Sequence, residues 1–203
     1  MTTRILLVRH GQTESNATGY YMGWSNEDLN STGISQAQKL SARIAPLPVA
    51  SVYTSPLQRA CTTAQLLAQP HGLEPKVVDD LIEIKLGDWQ GLHMDEIRQG
   101  WPEMWREWRA DPSETVLPDG ESFKQVAERA LRAFQKIVAD ERDRQTLVVT
   151  HEIIIKILVT HILGATYSIY RRFEVSNASL SVIQVTDGKM RLITLNDTSH
   201  LAV

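Results

Sequence analysis

Apolar positions along this 203-residue chain follow two rhythms. Short unbroken runs at 4–8, in "SVYTS", in "KVV" and in "RQTLVVTH" read as strands buried on both faces. Between them the apolar residues recur at helical spacing. In "LNSTGISQAQKLSARIA" one face is marked by Ile34, Ala37, Leu40 and Ile44, and Asn30, Ser31 and Thr32 offer capping oxygens. "PLQRACTTAQLLAQ" predicts a helix with Pro56 in its first turn, where a missing N–H costs nothing, and with Gly72 beyond its end. Further helices are expected over 121–140 and over "EIIIKILVTHILG", which should end at Gly164. The segment "SLSVIQVTDGKMRLITL" predicts a hairpin about Asp187-Gly188. Strands alternating with helices specify an α/β protein whose mainly parallel sheet is covered on both faces.

Residues 84–120 break the rhythm. They hold Trp89, Trp101, Trp105 and Trp108 among Gly and Pro, with Trp101, Trp105 and Trp108 at i, i+4 and i+7 on one helical face. That stripe is expected to pack a small helical insertion onto the sheet. One domain, residues 1–203, with 84–120 as its cap, is the organisation the length supports.

Composition narrows the function classes. Apolar residues make up 42%, charged residues 22%, and the net charge is −3, so no nucleic-acid footprint is present. The single cysteine, Cys61, allows no internal disulfide or multi-cysteine metal site and fits a reducing, cytoplasmic setting. Arg4 and the polar turn after His10 cut the first apolar stretch short, so no leader is expected. Lys156 and His161 interrupt the longest later run, and no membrane association is expected. Oligomeric state is not readable; a homodimer is left open.

Four polar pieces close the apolar runs. Arg9-His10 ends the first, "SPLQRA" carries Arg59 after the second, "LIEIKLGDWQG" carries Glu83 after the third, and His151 ends the fourth. Open α/β sheets bind ligands beyond the carboxyl ends of their strands. Alone, each residue reads equally as a surface cation, a polar strand end or a loop acid; together they describe an anion site. Guanidinium forks match phosphate oxygens. The arginines should disfavour protonation of His10 and leave its ring nucleophilic. Glu83 is the one acid in these pieces able to protonate a leaving alkoxide, keeping its proton where a phosphate dianion offsets the arginines. Nucleophile, charge clamp and acid suffice for phosphoryl transfer.

"LLVRHGQTESN", "SPLQRACTTA", "LIEIKLGDWQG" and "VVTHE" resemble the signature segments of the histidine phosphatase superfamily, the phosphoglycerate mutase-like proteins, from residue 4 to about 164. The resemblance implies a three-layer α/β/α sandwich with an inserted helical cap and no metal or other cofactor. It implies that His10 is phosphorylated in turnover, that Glu83 is the proton donor, that Arg9, Arg59 and His151 bind phosphate, and that Asn16 adds a phosphate contact. The partner implied is a small phosphorylated metabolite. The pocket beyond the phosphate is expected from residues 16–24, Gly23 among them, the tryptophan segment and Glu121-Ser122, with Tyr20, Tyr21, Met22 and Trp24 as a partly apolar wall.

Two departures bear on that pocket. Glu152 and Ile153 stand where many relatives carry glycines after the second histidine. Glu152 is therefore counted among the substrate-side residues, although its side chain is expected to turn away, since Glu suits a helix's first turn. Met22 stands where many relatives have Gln. Of the remaining histidines, His161 is expected in the core, His71 and His93 in loops and His200 at the surface. Three activities share such a centre. A phosphatase is favoured; a mutase is the runner-up, against which stand the short chain and the lack of an "RHYG"-like run after the acid. A non-catalytic phosphate reader is third, because nucleophile and acid are both present. Zinc on His10 and His151 would need a third ligand in space the arginines claim.

Overall fold

A computed structural model describes residues 2–202. Its centre is a six-stranded sheet in the order β3-β2-β4-β1-β5-β6. Strands β1 (Thr2–Arg9), β2 (Ser51–Thr54), β3 (Lys76–Val77) and β4 (Gln145–Thr150) run parallel, while β5 (Leu180–Thr186) is antiparallel to β1 and pairs with β6 (Lys189–Asp197) as a hairpin. Asp187 and Gly188 both take positive φ, the pairing a two-residue hairpin turn requires.

Alternation along the buried strands sends side chains to two cores, and the short helix α1 (Glu14–Thr18), with no buried residue, joins neither. Ile5 and Leu7 of β1 join Val148 and Ile183 beneath α6 (Phe123–Asp140) and α7 (Glu152–Ile162). Leu6 and Val8 join Val52, Leu147 and Val149 beneath α2 (Ser31–Ile44) and α3 (Gln58–Ala68). The result is the expected α/β/α sandwich. Local chemistry sets the helix starts: Asn30 caps α2 through Gly33 N–H, and Ser122 and Gln125 form a capping box on α6.

Several expectations are corrected in detail. Ile34 is exposed, so the buried stripe of α2 is Ala37, Leu40 and Ile44. Pro56 precedes the cap residue Leu57 and lies outside α3. His161 falls in the last turn of α7 and is exposed, not a core residue.

Residues 84–120 fold as α4 (Met94–Gly100) and α5 (Pro102–Ala110) with irregular flanks. Trp101 stands at the break between these helices, so the tryptophan stripe is not one continuous helical face. Trp101, Trp105 and Trp108 instead converge on the fully buried Trp89, with ring centroids 6.5, 6.0 and 5.8 Å away. Gly87 joins the ends of this segment. Its φ is +55°, and a Cβ there would lie 1.8 Å from the Pro118 carbonyl oxygen. No helix among the described residues is long and apolar enough to cross a membrane.

Candidate active site

Strand register assembles the site. Arg9 pairs with Thr150 and Thr54 with Val149, so the residues that leave the sheet next are His10, His151 and Ser55, side by side. The His10 and His151 rings lie 5.1 Å apart, and His151 Nε2 is 2.7 Å from Ser55 Oγ. The backbone of His10 is clamped on both sides: its N–H donates to the Thr150 carbonyl, and its carbonyl accepts from Ala178 N–H and from Asn177 Nδ2.

Tautomer follows from geometry. His10 Nδ1 lies 2.7 Å from the Gly11 carbonyl oxygen. A carbonyl only accepts, so Nδ1 carries the proton and the Nε2 lone pair is left free. The His10 ring is held neutral, its pKa well below the ordinary value, by burial first and then by Arg59 and Arg9. The arginines alone were the expected cause; burial exceeds them. His151 is held neutral in the same way.

Arg59 lies at the start of α3, buried, with its Nη atoms donating to the Ser25 and Gly23 carbonyls at 2.8 Å each. These bonds orient the guanidinium and fold the 23–25 turn around it. Arg9 donates to the Val175 carbonyl at 2.6 Å and pairs with Glu152 at 3.1 Å. Glu83 is raised above the usual carboxylate range by burial, against the Ile84 N–H and Arg59, which favour its charge. Its Oε1 accepts from Ile84 N–H at 2.9 Å. The Glu83 carbonyl accepts from Trp24 Nε1 and from Arg129, whose guanidinium also binds the Asp80 and Ile82 carbonyls and forms a two-point pair with Glu121.

One cleft of about 480 Å³ is lined by Arg9, His10, Asn16, Tyr21, Met22, Gly23, Arg59, Glu83 and Glu152. His151 is fully buried behind His10 and contributes no surface to that cleft. Tyr20, Tyr21 and Met22 form the expected wall, and burial pushes the Tyr21 phenol up to about 12, so it stays a neutral donor. Trp24 and Glu121-Ser122 are not in the lining. Trp24 and Glu121 act from behind, on the loop that carries Glu83. Glu152 does not turn away. It faces the cleft and bridges Arg9 to Lys156, whose Nζ is 2.6 Å from Oε1. Burial acts to raise the Glu152 pKa, but Arg9 and Lys156 outweigh it and hold the carboxylate below its ordinary value.

Sequence reasoning missed Ser55, Thr13, Asn177, Lys156 and Arg171. Asn177 Nδ2 donates to Asn16 Oδ1 at 2.9 Å and so orients that amide. Ser55 was in view within "SPLQRA", but only the register of β2 against β4 shows that it meets His151. His200 lies beside Arg43, outside the cleft lining. Among the described residues no group of three or more His, Cys, Asp or Glu side chains is placed to hold a metal ion.

A neutral histidine with a free Nε2, two guanidinium groups and a buried carboxyl of raised pKa face one cleft, the set of groups that phosphoryl transfer calls for. Comparison with known proteins agrees. Residues 5–198 match the histidine phosphatase superfamily (branch 1). The chain is 31% identical over 198 residues to phosphoserine phosphatase 1 of Hydrogenobacter thermophilus, covering 98% of this chain and 94% of that one. It is 34% identical over 207 residues to a metal-independent phosphoserine phosphatase of Arabidopsis thaliana, covering 98% and 84%. The solved structure of Bacillus stearothermophilus YhfR superimposes with a TM-score of 0.94 at 30% identity, covering 98% of this chain and 99% of that one. Against a bifunctional protein of Mycobacterium tuberculosis, 37% identical over 201 residues, the chain spans about half of the relative's length, 55%. The chain belongs to the histidine phosphatase superfamily, and its chemistry is hydrolysis of phosphomonoesters through a phosphohistidine.

Proposed function

We propose that His10 is the nucleophile, Glu83 the acid and base, and Arg9, Arg59 and Asn16 the phosphate-holding groups of a hydrolase for small phosphorylated metabolites. In the first step the Nε2 lone pair of His10 forms an N–P bond as the ester P–O bond breaks, and the Glu83 proton passes to the departing oxygen. In the second, a water oxygen attacks phosphorus and Glu83 takes its proton. The N–P bond breaks, and its electron pair returns to Nε2. Arg9 and Arg59 offset charge on the equatorial oxygens through both steps. His151, held by Ser55, backs the His10 ring.

The observation that carries this reading is the 2.7 Å contact from His10 Nδ1 to the Gly11 carbonyl, which commits the other nitrogen to attack. Residues 84–120 serve as a cap contributing Leu86, Met94 and Trp108 to the cleft wall, within one domain spanning 1–203. The cleft volume suits small organic phosphates. A reducing, cytoplasmic setting is the one the lone half-buried Cys61 fits.

The test is phosphate release from a panel of small phosphomonoesters, with 3-phosphoglycerate included. Release that disappears in His10→Ala is expected. Isomerisation of 3-phosphoglycerate without release, or unchanged release by the variant, would overturn the assignment.

A further inference from the structure

Lys156 is a cation that the hydrolytic steps do not use. It lies one turn into α7, only 7% exposed, yet it lines the same cleft as His10 and Arg59. Its Nζ carries three N–H donors. One is spent on Glu152 at 2.6 Å, in the Glu-to-Lys i,i+4 order that favours pairing on a helix, and Nζ also sits 5.6 Å from the centre of the Tyr170 ring. No other hydrogen bond to a described residue engages it. A buried ammonium with unspent donors facing a cleft is costly unless an occupant supplies acceptors.

The surroundings say what kind of occupant. Glu152 has each oxygen satisfied by a cation, Arg9 on one side and Lys156 on the other. When a phosphoryl group engages Arg9, Glu152 still holds Lys156 in place. Arg171 lines the same side, its guanidinium 5.7 Å from the Tyr170 ring centre and bonded to the Tyr170 hydroxyl at 3.5 Å. Glu174 also lines the cleft, but no described cation pairs with it. A phosphoryl group in the cleft would have its guanidinium partners in Arg9 and Arg59. A second cationic pair, tethered to the Tyr170 corner, therefore addresses a different anionic group on the same small molecule.

We propose that Lys156, with Arg171, is a specificity-determining residue that binds a carboxylate on the leaving group, so that the preferred substrates are phosphomonoesters of small hydroxy acids. This rests on the hydrolase reading of the cleft. Glu152 is the positioning residue: its bond to Lys156 fixes where the ammonium stands.

The experiment compares kcat/KM for 3-phosphoglycerate with that for glycerol 3-phosphate, which has the same three-carbon skeleton but a hydroxymethyl group in place of the carboxylate. Phosphoethanolamine, which offers an ammonium alone, is the third ester. Wild-type protein should favour 3-phosphoglycerate over both by at least about tenfold, the discrimination expected when a charged partner is lost. The ratio should fall towards unity in Lys156→Met and be largely restored in Lys156→Arg. D-glycerate should inhibit the wild type more strongly than glycerol, a readout needing no variant to fold. Equal kcat/KM for the esters, a preference for phosphoethanolamine, or a ratio unmoved by Lys156→Met in folded protein would overturn the inference while leaving the hydrolase standing. Absence of phosphate release from all three esters and from p-nitrophenyl phosphate would overturn both.

Discussion

The two neighbouring histidines carry a cost that shows in the response to pH. His10 and His151 both have folded-state pKa values well below the ordinary 6.5, with burial the largest cause. Above 6.5 neither state holds the protons and the effect is absent. As pH falls below 6.5 the unfolded chain binds protons that the folded one refuses, so stability is lost on acidification through the folded values. The limiting slope is about 1.4 kcal/mol per pH unit for each histidine. Unfolding free energies measured between pH 7 and pH 5 should therefore fall steeply, and less steeply in His10→Asn; equal slopes would count against buried neutral imidazole. Glu83 has the opposite sign. Burial raises it, so its protonated form persists to higher pH and remains available as an acid. Replacing Glu83 by Gln should slow turnover by roughly 10²–10⁴-fold for alkyl esters, where the leaving oxygen needs a proton, and far less for p-nitrophenyl phosphate. A uniform loss across leaving groups would argue that Glu83 is not the acid. The meeting of these groups was readable in the sequence: Arg9, His10, Arg59, Glu83 and His151 were named from their places after apolar runs, and the structure gathers them around His10. The direction of Glu152 was not, because a helix's first turn tolerates an outward or an inward Glu. Only the three-dimensional meeting of Arg9, Glu152 and Lys156 decides it.

Elements set the position of the acid. Glu83 lies on an irregular stretch between β3 and the tryptophan-rich segment, with no regular structure to hold it. Its anchor is Arg129 on α6, which binds three consecutive or near-consecutive carbonyls of 80–83 and is itself held by Glu121. Arg129→Met should then lower kcat through a displaced carboxyl, on the order of 10²-fold for alkyl esters. The loss should carry the same leaving-group dependence as Glu83→Gln, whereas a purely structural defect would lower all substrates alike. Helices and strands were legible wherever hydrophobic periodicity was long. The break at Trp101 was not, since a Pro one residue later allows either a helix start or a longer helix with Pro102 inside. Ser55 and Asn177 were likewise hidden: each meets its partner across more than ninety residues of sequence, through strand register and a terminal turn.

At the scale of the molecule, the site exists only when the whole sheet is assembled. His10 follows β1, Arg59 follows β2, Glu83 follows β3 and His151 follows β4, and the turn leading into the antiparallel strand β5 clamps the His10 carbonyl. An anion that bridges these segments should stabilise the folded state as a unit. Orthovanadate at about a hundred times its dissociation constant contributes about 2.7 kcal/mol, which for a chain of this length raises Tm by roughly 5–10 °C. A thermal scan with and without vanadate checks this, and an unmoved midpoint at saturating concentration would be inconsistent with a formed anion site. The parallel core and the covering layers followed from alternating strand and helix patterns. The placement of β4 between β1 and β2, which brings the two histidines together, is a long-range choice that no local pattern encodes. The step on which all the chemistry turns is the bonding of phosphate to His10 Nε2. Rapid quench of a single turnover, followed by peptide mapping under alkaline conditions, should locate acid-labile phosphate on the peptide holding His10 and nowhere else. Full turnover with no phosphate on that residue, or with phosphate on another, would contradict it.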